Sequence, residues 1–180
     1  MEKYGPNQAR EKVRHFISAY PKKIRMNIHE VEILLVEDSP YDAEMTIRAL
    51  KRVNLANKLV HLRDGEEAIN FLFCREQFAD RTMSSAPRVI LLDIKMPKVD
   101  GIEVLRQIKA NDVTKIIPVV IMTSSKEEQD IITSYKLGVN SYIVKPMGFE
   151  GFAKAVSELG LYWILTNEPP HRTDNHKTGL

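Results

Sequence analysis

The sequence holds a single cysteine, Cys74. No disulfide can form within such a chain, so its fold must rest on a packed core, and a reducing compartment suits it. Cys74 itself reads as a small apolar filler at a helix end. Long apolar runs are missing too. The longest, residues 116–122, is interrupted by Pro118 and falls far short of the roughly 20 residues that a membrane-spanning helix needs. The first residues are polar and charged, without an apolar secretory segment. Membrane insertion is not expected, and the cytoplasm is the expected location. Charge of one sign is also scarce. A net charge of +2 gives no reason to expect a polyanion, nucleic acid included, as a partner. The histidines (His15, His29, His61, His171 and His176) have no metal-ligand spacing with one another or with the cysteine, and read as surface residues. There is no G-x-x-x-x-G-K-[ST], no G-x-G-x-x-G after a strand and no G-x-S-x-G. Phosphate-loop, dinucleotide and serine-hydrolase chemistries therefore lack their usual signatures.

What is present is an ordinary globular composition, 43% hydrophobic and 28% charged, arranged as five strand–helix units. Residues 31–36 (V-E-I-L-L-V) read as a buried strand. Residues 41–53 follow as a helix, with Ala43, Ile47 and Leu50 on one face. A weaker strand spans 58–62, then Asp64-Gly65 turns into a helix marked by Ala68, Phe71 and Leu72. A third strand covers 88–92 and ends at Asp93. Asp100-Gly101 reads as a turn and helix start, before a helix carrying Ile102, Leu105 and Ile108. Residues 117–122 form a fourth strand, and Ile131, Ile132 and Tyr135 lie on a helix that Gly138 caps. Residues 141–144 form a fifth strand. Phe152, Val156, Leu159 and Trp163 are the apolar stripe of a last helix. Buried strands alternating with helices predict an α/β fold, a five-stranded doubly wound parallel sheet covered on both faces. The sheet domain should span 31–166. Residues 1–30 form a basic extension, in which Ala9, Val13, Phe16, Ile17 and Tyr20 predict an extra amphipathic helix stopped by Pro21. Residues 75–87 look like a long loop, and 167–180 like a flexible polar tail.

In an open α/β sheet, ligands gather at the carboxyl ends of the strands. Here those ends carry Glu37-Asp38, Asp93, Thr123-Ser124 and Lys145-Pro146. Carboxylates crowded at one edge repel one another unless something neutralises them. A hard divalent cation such as Mg²⁺, with its taste for oxygen ligands, does that well. Thr123 offers a hydroxyl and Lys145 a point charge, both suited to phosphate oxygens. Aspartate can accept a phosphoryl group, so metal, lysine, hydroxyl and acceptor carboxylate form a complete set for phosphoryl transfer.

These runs, E-D-S at 37–39, D-I-K-M-P-K-V-D-G at 93–101, M-T-S at 122–124 and K-P at 145–146, resemble the receiver domain of two-component response regulators. The likeness covers residues 31 to about 165. It implies the strand order 2-1-3-4-5. It implies that Asp93 accepts phosphate from a histidine kinase or a histidine phosphotransfer protein. Glu37, Asp38, Asp93 and the backbone carbonyl of Lys95 would hold Mg²⁺. Thr123 would hydrogen-bond the phosphoryl group, Lys145 would pair with it, and Tyr142 would be the switch aromatic that turns inward as Thr123 moves. The Lys145–Pro146 bond would be cis, and Lys95 and Ser125 would tune dephosphorylation. A narrower likeness lies in the long loop before the third strand, T-S-S at 123–125, S-Y-K-L-G-V-N at 134–140 and L-Y-W at 161–163. These resemble stand-alone regulators partnered with bacterial phytochromes.

The last helix has surplus apolar surface in Leu161, Tyr162 and Leu165, which suggests a homodimer through the fourth helix, fifth strand and fifth helix. The tail after Leu165 is too short for a DNA-binding or enzymatic output domain, so a phosphorylation-switched binding module is expected. Two alternatives compete. An aspartate-nucleophile phosphatase would favour a second carboxylate two residues past the nucleophile, where Lys95 stands. A degenerate receiver acting as an adaptor would lack part of the residue set.

Overall fold

The structure, a computed structural model, describes residues 31–145 and 149–168. Its strands are β1 Ile33–Val36, β2 Leu59–Leu62, β3 Val89–Leu92, β4 Val119–Thr123 and β5 Ser141–Val144. β1, β3 and β4 are buried along their whole length because helices cover both faces of the sheet. All pairings are parallel, in the order β2-β1-β3-β4-β5. That order agrees with the expected one. β1, β2 and β3 start later than the apolar runs suggest, and β4 starts after Pro118, which has no N–H to place in a ladder.

Alternation along the strands sorts the core into two layers. Leu34, Val36, Ile90, Leu92 and Ile121 face Phe71, Leu105 and Ile108. Those three come from α2 (Gly65–Leu72) and α3 (Gly101–Ala110). Ile33, Leu35, Val89, Leu91 and Val120 face Leu50, Phe152 and Val156 on the other side. Those belong to α1 (Pro40–Arg52) and α5 (Phe149–Leu161).

The helix starts follow ordinary capping chemistry. The Asp42 N–H donates to Ser39 Oγ at 3.3 Å, the Glu67 N–H to Asp64 Oδ1 at 2.8 Å and the Glu103 N–H to Asp100 Oδ1 at 2.8 Å. Pro40 occupies the first turn of α1, where a missing N–H costs nothing. α4 (Glu128–Lys136) ends at Gly138, whose φ of +87° suits glycine, with the Val139 N–H reaching back to the Ser134 carbonyl.

Three local readings change. On α4 the buried side chain is Ser134, bonded to the Asp130 carbonyl, while Ile132 and Tyr135 point outward at 40% and 56% exposure. A hydroxyl satisfied by its own helix can be buried, and the apolar residues are left for another surface. Residues 75–87 form a clamped crossing with short 3₁₀ turns at Glu76–Phe78 and Met83–Ser85. Buried Arg81 lies over the Phe71 ring at 3.4 Å and donates to the carbonyls of Phe71 and Ser85 at 2.8 and 2.7 Å. The last helix runs into a π-helical turn at Tyr162–Thr166, which buries Ile164 and leaves Trp163 half-buried. Cys74 is half-buried just past α2, in a left-handed conformation (φ +55°). The N-terminal helix expected within residues 1–30, the tail beyond Glu168 and the Lys145–Pro146 bond lie outside the described residues. Among the described residues, no helix is long and apolar enough to cross a membrane.

Candidate functional site

The parallel ladder carries the chemistry-bearing residues to one edge. Val36 is in register with Leu62 and with Leu92, and Leu92 with Ile121. The residues that follow are stitched together by their backbones. The Glu37 N–H donates to the Leu62 carbonyl, the Asp93 N–H to the Val36 carbonyl and the Lys145 N–H to the Thr123 carbonyl, at 3.0, 3.0 and 2.8 Å. The fold therefore brings Glu37, Asp38, Asp93, Thr123 and Lys145 to one edge of the sheet.

Glu37, Asp38 and Asp93 each offer a carboxylate oxygen, and these oxygens lie within 4.8 Å of one another. Glu37 and Asp93 are buried, at 2% and 7% exposure, while Asp38 opens to solvent. Asp93 is oriented by the Ile94 N–H, which donates to Oδ1 at 2.8 Å. Lys145 Nζ lies 2.6 Å from Glu37 Oε2, 2.8 Å from Asp42 Oδ2 and 3.7 Å from Asp93 Oδ2. Thr123 is fully buried, and its Oγ1 accepts the Ser125 N–H at 3.2 Å. The Tyr142 hydroxyl donates to the Ser125 carbonyl at 3.2 Å, so Ser125 connects the Thr123 hydroxyl to the Tyr142 ring. Burial pushes the Tyr142 hydroxyl above its ordinary pKa.

Electrostatics agree with a site built for cations. Burial raises Glu37 from 4.5 to about 7, against the pull of Lys145. Burial also opposes the charge on Lys145, but Asp42 and Glu37 outweigh it and hold the ammonium above its usual value. Hard carboxylate oxygens converging with so little neutralising charge fit a small divalent ion such as Mg²⁺.

The state of Glu37 has a consequence for stability. Between 4.5 and about 7 the folded chain keeps a proton on Glu37 that the unfolded chain has released. This contribution is fully present below pH 4.5 and is lost as the pH rises through about 7. In metal-free buffer, wild-type unfolding free energy should fall between about pH 5 and 8 by on the order of 2–3 kcal/mol more than that of Glu37→Gln. Parallel profiles from urea titrations of the two proteins would contradict it.

Several participants had weak sequence signals. Asp42, an acid in the first turn of α1, carries no sequence pattern that marks it, yet it holds Lys145. Asp130 binds Lys95 Nζ at 3.2 Å and accepts from Ser125 Oγ at 2.8 Å, so the Lys95 side chain reaches to the start of α4. His61 is half-buried rather than on the surface. Its Nε2 lies 2.8 Å from the Glu37 carbonyl, and burial lowers its pKa. Gly101 packs directly on the Asp93 backbone.

A five-stranded parallel sheet in this order, with clustered acids, a threonine and a lysine at its carboxyl edge, defines a phosphoryl-accepting receiver fold. Residues 33–157 match the response regulator receiver domain family, and the chain belongs to it. Among its relatives, the response regulator Rcp1 of Synechocystis sp. is 42% identical over 134 residues, covering 74% of this chain and 89% of Rcp1. The probable methanogenesis regulatory protein FilR2 of Methanothrix harundinacea is 41% identical over 138 residues, covering 77% of this chain and 86% of FilR2. The crystal structure of Mn²⁺-bound Rcp1 superposes with a TM-score of 0.72 at 39% identity, covering 78% of this chain and 99% of that one. The bacteriophytochrome response regulator AtBRR gives 0.60 at 48% identity, covering 77% and 99%.

Proposed function

We propose that the chain is a phosphorelay receiver that takes a phosphoryl group onto Asp93 in the presence of Mg²⁺ and changes its binding partners as a result. The observation that carries this reading is the convergence of Asp93 with Glu37, Asp38 and Lys145 at one sheet edge. The donor is a phosphohistidine of a histidine kinase or histidine phosphotransfer protein. A carboxylate oxygen of Asp93 forms a bond to phosphorus as the donor's P–N bond breaks, and the imidazole nitrogen leaves. Glu37, Asp38, Asp93 and the carbonyl of Lys95 would hold the cation, which when bound neutralises charge on the phosphoryl oxygens. The Ile94 N–H holds the acceptor carboxylate in one orientation. Lys145 supplies the remaining positive charge, and the Thr123 hydroxyl, once directed to the phosphoryl group, gives up the Ser125 N–H. That exchange moves Ser125, and with it Tyr142, which gives the switch a physical path from the pocket to the surface. Catalysis is confined to the chain's own phosphorylation and dephosphorylation. The cytoplasm is its place of work.

The likeness to AtBRR, a bacteriophytochrome response regulator, supports a kinase of the bacterial phytochrome kind as the donor. The test is intact-mass spectrometry after incubation with a small phosphodonor. One phosphoryl adduct should form with Mg²⁺ and disappear with a chelator. An adduct indifferent to the chelator would refute the metal's role.

Homodimerisation through α4, β5 and α5 belongs to the same proposal. It is supported by the outward-facing Ile132 and Tyr135 on α4 and by exposed Leu161, Tyr162 and Leu165 at the end of the chain's last helix. Sedimentation should find a dimer that Tyr135→Glu with Leu165→Glu converts to monomer. A wild type that stays monomeric with and without a phosphoryl analogue would refute it.

A further inference from the structure

We infer that Asp42 is the positioning residue for Lys145: it shares the ammonium with Glu37 and retains it near Asp93 when a metal draws on the Glu37 carboxylate. This rests on the phosphoryl-acceptor reading above and concerns how that site keeps its own cation from competing with the metal.

An acid in the first turn of a helix ordinarily serves the helix, through the dipole or by reaching back to the N-cap N–H. Asp42 does not make the second of these contacts. The Ser39 N–H is taken by Glu37 Oε1 at 3.3 Å, and the Ser39 hydroxyl accepts the Asp42 N–H. The Asp42 carboxylate is left to Lys145, across 103 residues of chain, at 2.8 Å.

An ammonium group has three donors. On Lys145, two lie at hydrogen-bond distance from Glu37 and Asp42, and Asp93 Oδ2 lies farther off at 3.7 Å. The Lys145 side chain is only 8% exposed, so water offers little in exchange for a lost partner. Of its three carboxylate partners, Glu37 and Asp93 belong to the oxygen cluster that fits a divalent cation, and Asp42 does not. A cation drawing on Glu37 therefore leaves Asp42 as the acid that keeps Lys145 satisfied. Without Asp42 the ammonium has, among the described residues, Glu37 and Asp93 to turn to, and it competes with the metal for both.

The test is a double-mutant cycle read by calorimetric titration of Mg²⁺ into the full chain: wild type, Asp42→Asn, Lys145→Met and the pair. Asp42→Asn should weaken Mg²⁺ binding about fivefold, within the range of coupling between residues of one network. In the Lys145→Met background the same substitution should change nothing, and Asp42→Glu, which restores a carboxylate, should recover most of the affinity. The Mg²⁺ midpoint for phosphorylation by a small phosphodonor should move by the same factor. Circular dichroism melts of each variant separate these effects from unfolding. An equal loss in both backgrounds would mean that Asp42 acts through its own charge, and would overturn the inference. So would a wild type that binds Mg²⁺ with Asp42→Asn indistinguishable from it, and that result would leave the phosphoryl-acceptor reading intact. A wild type that binds no Mg²⁺ would sink both.

Discussion

Asp93→Asn is expected to take up no phosphoryl group from a small donor with Mg²⁺ present, while remaining folded. The amide keeps the shape of the carboxylate, and its oxygen can still accept the Ile94 N–H that orients residue 93. What is lost is the nucleophilic oxygen, together with one of the converging acids. Among the described residues, the two other acids of the cluster are poorly placed to replace it. Glu37 is tied to Lys145 and Ser39, and Asp38 lies on the solvent side. The rate should fall by at least about a thousandfold, as when a nucleophile is removed from a concerted set. Stability should hold or rise, because one of three mutually repelling carboxylates has gone. Intact mass and a thermal melt of the same sample check both parts. A variant that phosphorylates as wild type does would remove Asp93 from its role.

The second large effect is expected from Gly101→Ala. A methyl group at this position would lie 2.0 Å from the Asp93 carbonyl oxygen and 2.8 Å from the Ile94 Cα, both backbone atoms that no side-chain rotation can move aside. Gly101 is buried at the first turn of α3, and its N–H donates to the Ile94 carbonyl at 2.8 Å. The loop between β3 and α3 is therefore folded back on the acceptor residue, and only a hydrogen fits between them. Gly65 meets the same loop from the other side, where a methyl group would lie 2.1 Å from the Val99 carbonyl oxygen. Alanine at 101 should cost about 3 kcal/mol or more, by overpacking that forces the backbone to shift. For a chain of this size that lowers Tm by about 6–12 °C. Phosphorylation should slow as well, because the shifted backbone is that of Asp93. A variant with wild-type Tm and rate would mean that the loop has room which the close packing denies.

Much of this was legible from the chain alone, for identifiable reasons. Strands buried on both faces are nearly all apolar, so β1, β3 and β4 stood out, and parallel pairing makes their carboxyl ends converge. Glu37, Asp38, Asp93, Thr123 and Lys145 could be gathered by that rule before any distance was known. The rule says where residues end, and nothing about which side chain takes which partner. Lys145 sits closer to Glu37 and Asp42 than to Asp93, because buried acids compete for one ammonium and the geometry of α1 decides between them. Ser134 on α4 is buried where periodicity favoured isoleucine and tyrosine, since a hydroxyl bonded to its own helix carries no penalty that sequence patterns record. Arg81 gave no advance sign of its burial. Its stacking on Phe71 depends on a loop path that local propensity does not specify. The glycine at 101 could be read as a helix start, but its contact with Asp93 is a matter of tertiary approach alone.

Phosphorylation at residue 93 would turn its carboxyl into an acyl phosphate. Borohydride reduces such a group to an alcohol, so phosphorylated protein, reduced and digested, can be mapped by tandem mass spectrometry. Homoserine is expected at position 93, in Mg²⁺-treated samples only. A reduced side chain at Glu37, Asp38 or any other acid, with Asp93 intact, would contradict it.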